Sequence, residues 1–90
     1  MLFNNGLILQ FGKISYKSGS INASKSITVN LSLPITVTTW KMAVTNCNGV
    51  AFTCASYNNS SLSQVQFGYS NKNNNDSSSF EYIQFICIGY

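Results

Sequence analysis

The chain has no histidine and no arginine, one proline, and two acidic residues, Asp76 and Glu81. Each shortage excludes something. General acid–base catalysis draws on histidine or on paired carboxylates with separated pKa values. Asp76 falls in a polar loop and Glu81 opens the last strand-like segment, so no fixed geometry joins them and no catalytic residue is expected. Without arginine the bidentate forks that grip phosphate and guanine are missing. The five lysines (Lys13, Lys17, Lys25, Lys41 and Lys72) are scattered along the chain, whereas nucleic-acid binders cluster their cations. No nucleic-acid partner is expected. No apolar run approaches the ~18 residues of a membrane helix, and residues 1–6 lack the basic start and apolar core of a signal peptide. Three cysteines without metal-type spacing, and no histidine, leave zinc or iron without a ligand set. Calcium beside Asp76 needs more carboxylates than one chain offers. No metal or cofactor is expected.

What is present in quantity is neutral and polar: twelve asparagines and fourteen serines. Both residues compete with a helical backbone for hydrogen bonds and so disfavour helix. The apolar complement is rich in Ile, Val, Phe and Tyr, which suit a pleated surface. Ninety residues predict one domain spanning 1–90, large enough for a core without staples. Cys47, Cys54 and Cys87 read as small buried thiols on strands; one disulfide is the alternative and requires Cα atoms within about 7 Å.

Six strand-like segments are legible. The first runs over residues 7–16. The second covers 26–31, with Ile27, Val29 and Leu31 alternating against Thr28 and Asn30 and with Pro34 ending the run. The third spans 38–46, with Trp40, Met42 and Val44 on one face. The fourth spans 50–56, and Asn48-Gly49 ahead of it signals a hairpin between the two, the facing residues favouring a three- or five-residue connection or a bulge over a two-residue turn. The fifth spans 63–69, with Val65, Phe67 and Tyr69 inward. The sixth, residues 80–90, is apolar on both faces from Ile83 onward. It therefore predicts cover on both sides, by the chain itself or by a neighbouring copy. Strands at this spacing predict an all-β, six-stranded antiparallel β-sandwich. Ile8 and Gln10 in the first strand, and Ile83 and Phe85 in the last, are candidates for subunit contact; the alternative is that they fill an ordinary core.

The two ends together carry a resemblance. The chain opens on Asn5-Gly6-Leu7-Ile8-Leu9-Gln10-Phe11-Gly12 and closes on Phe85-Ile86-Cys87-Ile88-Gly89-Tyr90, with the Ile27-to-Leu31 strand just ahead of a proline. In this order the segments resemble the C-terminal domain of bacteriophage tail fibres of the gp53-like type, over nearly the whole chain. Phe11 stands where that family carries tryptophan, and Cys87 where alanine is common. The resemblance implies a homotrimeric knob at the tip of a virion tail fibre, made in the host cytoplasm and working outside it. The sandwich is also similar to that of H-type lectins, trimers that bind sugar at their loops. The implied partners are sister copies and a bacterial surface polysaccharide or lipopolysaccharide. The alternatives are a trimerisation cap without a ligand and a free-standing bacterial or prophage lectin.

Sugar recognition needs flat aromatic faces together with amides or hydroxyls. Trp40, Tyr57 and Tyr69 supply the first, and Asn58, Asn59, Asn74 and Asp76 the second. For Trp40 the competing reading is a core residue.

Overall fold

The computed structural model describes residues 6–57 and 61–90. The described residues are all-β, with six strands: β1 (Ile8–Ser15), β2 (Ser26–Ser32), β3 (Lys41–Cys47), β4 (Phe52–Tyr57), β5 (Gln64–Asn71) and β6 (Tyr82–Gly89). They form two antiparallel three-stranded sheets, ordered β1-β6-β3 and β2-β5-β4. The most buried strands, β5 and β6, take the two central places.

Between the sheets lies the core. Val65, Phe67 and Tyr69 from β5 meet Ile83, Phe85 and Cys87 from β6, joined by Val29, Ile21, Leu33 and Phe80. Phe80 is the hub. Its ring meets Phe52 edge-on at 5.1 Å, leans on Tyr69 at 5.0 Å and stacks on Tyr16 at 6.1 Å. Phe80 thus ties the approach to β6 to strands of the other sheet.

The expected hairpin at Asn48-Gly49 is not formed: β3 and β4 belong to different sheets. A two-residue turn of that type needs positive φ at both central residues, and neither Asn48 nor Gly49 has it. Instead Asn48 Oδ1 accepts the N–H groups of Glu81 at 2.8 Å and Tyr82 at 3.1 Å. Gly49 is crowded by the Phe52 ring, 2.5 Å from where a Cβ would stand. The segment is a corner that passes the chain from one layer to the other. Only β4 and β5, of the consecutive strands, are sheet neighbours.

A second expectation is corrected at β6. Ile83 and Phe85 are core residues, not subunit contacts. Gln10 is buried too, and its amide pairs with the Ile35 backbone through two 2.8 Å bonds. It behaves as an added rung of backbone, which a buried amide requires. Ile8 is half-buried. In β3 the alternation holds but its apolar set points outward. Met42 and Val44 are exposed, while Lys41, Ala43, Thr45 and Cys47 are partly covered. The inward polar groups are satisfied. Thr45 Oγ1 is bonded to the Tyr69 hydroxyl at 2.7 Å and the Gln84 carbonyl at 2.8 Å, and Lys41 Nζ donates to the Ser61 carbonyl.

The polar segment after β5 is held by Asn71. Its buried side chain donates to the carbonyls of Ile21 (2.9 Å) and Asp76 (3.1 Å) and accepts from Asn73 N–H (3.0 Å). At the other end of the molecule the main-chain oxygen of Tyr90 accepts from the N–H groups of Thr38, Thr39 and Trp40.

Candidate functional site: the two outer faces

A β-strand aims alternate side chains at opposite faces, so each sheet has one face on the core and one turned away. On the β1-β6-β3 sheet the outward side chains form cross-strand rows: Leu9–Ile88–Met42, then Phe11–Ile86–Val44, then Lys13–Gln84–Asn46. The first two rows are wholly apolar. Phe11 is 69% exposed, Met42 64%, Val44 64% and Ile86 52%. Together these side chains form one contiguous exposed apolar patch, where singly scattered ones would need no explanation. The third row is polar, and the Lys13 ammonium lies 3.9 Å from the Tyr82 ring centroid, a cation–π contact. A shallow open groove runs between Phe11, Ile86 and Val44 on one side and Lys13, Gln84 and Asn46 on the other.

The outer face of β2-β5-β4 is different throughout. Its rows are Ser32–Gln64, Asn30–Gln66–Tyr57, Thr28–Gly68–Ala55 and Ser26–Ser70–Thr53. None of these residues is charged, and nearly all carry an amide or hydroxyl. Ser26 and Ser70 bond to each other at 2.7 Å. The aromatic exception is Tyr57, 45% exposed. Its ring reaches diagonally across to Gly68, where a Cβ would stand 2.3 Å from the hydroxyl and 2.6 Å from Cζ. Gly68 is fully covered although it has no side chain, and it is in this direction that the ring reaches.

The sequence-derived sugar residues do not form one cluster. Tyr69 is buried at 0% exposure. Its hydroxyl is tied to Thr45, and burial pushes its pKa up to about 12. It is a core residue and is removed from the set. Trp40 is exposed, so the core reading fails for it; it lies beside Tyr90 at one end of the sandwich. Tyr57 stands on the polar face. Asn74 and Asp76 are exposed in the segment after β5, at the opposite end, a strand length of about 25 Å from Trp40. That end also carries a polar cleft lined by Lys17, Ser20, Ser77, Ser79 and Glu81 among others. Asn58 and Asn59 lie outside the described residues.

The three cysteines are free thiols. Burial, together with adjacent Cys47, pushes Cys54 up to about 11, and burial raises Cys87. Raised thiols are poor nucleophiles at neutral pH. Among the described residues no group of acids, cysteines or histidines could hold a metal ion.

Two small sheets closed on one core present one apolar and one polar, neutral outer face. The chain belongs to the family described as "Putative tail fiber protein gp53-like, C-terminal", whose model matches residues 1–90. The family is virion-associated, and its members are tail-fibre parts, not known enzymes. No curated protein and no solved structure matches the chain.

Proposed function

We propose that this domain is the homotrimeric head of a phage tail fibre and that it attaches the particle to bacterial surface polysaccharide or lipopolysaccharide without catalysis. The observation that carries the assembly half is the apolar outer face of β1-β6-β3. Its eight- and seven-residue strands give an apolar patch that is the right kind of centre for an interface burying ~800 Å² per partner with a polar rim. Three copies around an axis turn this face inward and leave the β2-β5-β4 face outward. The attachment half rests on family membership and on the dense neutral hydrogen-bonding surface that remains exposed. Individually weak saccharide contacts become effective when the three sites of one head act together.

Sedimentation velocity on the purified domain tests the assembly. A trimer is expected, and Ile86→Asp is expected to give monomers that keep their β-sheet circular dichroism. A wild-type monomer at micromolar concentration sinks the proposal. A trimer that binds neither host cells nor their isolated envelope polysaccharide leaves the trimerisation cap as the reading.

A further inference from the structure

We infer that Tyr57, laid against Gly68 on the outer face of β2-β5-β4, is the platform of a neutral-saccharide subsite, with Gln66, Asn30 and Thr28 as its polar flank. The inference deepens the attachment half of the reading above and rests on it.

Glycine in the middle of a central strand weakens the strand and marks a place where something approaches the backbone closely. Here the approaching group is the Tyr57 ring. Any side chain at position 68 would collide with it, since a Cβ lies 2.3–2.7 Å from three atoms of the phenol. The ring is therefore supported from beneath by the backbone and stays partly exposed. A supported aromatic plane costs little conformational entropy to use. Sugar rings offer C–H groups on one face and hydroxyls around the edge. The plane serves the first. The hydroxyls need donors and acceptors beside it. Gln66 is the direct cross-strand partner of Tyr57, Asn30 is the partner of Gln66, and Thr28 is the partner of Gly68. Amides and hydroxyls of this kind both donate and accept.

Charge decides the ligand class. The outward positions of the three strands hold no ionisable group other than the Tyr57 phenol. An acidic sugar would find no cation there to offset its desolvation, and a phosphate no fork. The occupant that fits is a neutral hexose or deoxyhexose unit. The face is also free in the proposed assembly, because it is the opposite sheet that turns to the axis.

Amide-resolved NMR titration of the assembled domain with a panel of neutral hexose and deoxyhexose disaccharides, at millimolar concentration, tests this. Shifts are expected at Thr28, Gln66, Gly68 and Tyr57 for at least one sugar. Tyr57→Ala should weaken that binding about two- to tenfold, the scale of a lost aromatic contact, and Tyr57→Trp should preserve it. Gly68→Ala keeps the tyrosine but displaces its ring, so it should lose binding equally while the spectrum stays dispersed. Shifts confined to Lys17, Ser20 and residues 77–81 overturn the subsite but leave glycan attachment standing. Unchanged affinity in both Tyr57→Ala and Gly68→Ala overturns it as well. No shift with any sugar, on a sedimenting trimer, overturns the subsite and removes the support for neutral glycans.

Discussion

The two sheets share a core, a strand count and antiparallel ladders, yet their outward faces have almost nothing in common. One offers Phe11, Met42, Val44 and Ile86; the other offers Ser26, Thr28, Asn30, Gln66 and Ser70. The same alternation produces both. Periodicity decides which residues share a face, and the composition of the outward set decides whether water or another surface satisfies it. The apolar face is the costlier to leave wet, since apolar area in water is unfavourable by ~25 cal/mol per Å². The polar face gains nothing from being covered unless each amide and hydroxyl finds a new partner.

The sharpest way to break this contrast is a matched pair of charges. Ile86→Asp places a carboxylate at the centre of the apolar rows, and Ser32→Asp places one on the exposed edge of β2. In a trimer the first occurs three times at the interface, and an unpaired buried charge costs several kcal/mol. Association should weaken by more than about 100-fold in Ile86→Asp and stay unchanged in Ser32→Asp, as read by sedimentation. Equal effects would erase the distinction between the faces.

The next largest effect lies in what joins the sheets. Phe80→Ala removes a ring with 1% exposure that contacts Phe52, Tyr69 and Tyr16. Truncation of a buried phenylalanine costs about 3–5 kcal/mol. Urea unfolding of the Ile86→Asp monomer background isolates this from assembly. A loss below about 1 kcal/mol would mean that Phe80 is not the hub.

Alkali should act from inside. The Tyr69 pKa is raised from 10.0 to about 12 and that of Cys54 from 9.0 to about 11, in both cases chiefly by burial. Both groups are neutral when protonated, and the folded state holds their protons more tightly than the unfolded one. Their contribution is therefore fully present below about pH 9 and is lost as pH rises, for Cys54 between about 9 and 11 and for Tyr69 between about 10 and 12. The thermal midpoint should be level from pH 7 to 9 and then fall. Cys54→Ala should leave the onset in place and make the fall shallower, because Cys87, raised by burial from the same 9.0, and Tyr69 still carry it.

Much of this was legible before the structure. Strand 26–31 differs from the observed β2 by one residue, and Val65, Phe67 and Tyr69 point inward as their alternation with Gln64 and Gln66 predicts. Where both faces of a strand are apolar, alternation names the two sets but not their direction. That is why subunit contact and ordinary core are both open for Ile83 and Phe85 in the sequence; the structure puts them in the core and exposes Ile86. For Gln10 the core alternative holds; its partner, the Ile35 backbone, lies in another segment and leaves no mark in the local pattern. Asn48-Gly49 misled because its turn chemistry is local, whereas the Asn48 side chain is engaged by residues 81 and 82. Asn48→Ala checks that account. Removing two acceptor contacts should cost about 1–2 kcal/mol without altering assembly. Tyr57 was chosen for its type; its support by Gly68 is a cross-strand relation that needs the β4–β5 register.

The smallest expected effect is the most informative about the polar face. Tyr57→Ala uncovers Gly68 and removes one half-exposed ring, so stability should fall by no more than about 1 kcal/mol. Sedimentation should be unchanged, because nothing on this face is asked to meet a sister chain. If Tyr57 served only to cover the glycine, Gly68→Val with Tyr57→Ala would restore the lost stability and nothing else would differ from wild type. If the ring is a platform, that double variant should be as stable as wild type and still fail to hold a neutral sugar. A side chain at 68 can fill the space, but it cannot present a flat face beside Gln66 and Thr28. The double variant thus separates filling from function on the one face whose composition needs no partner chain to explain it.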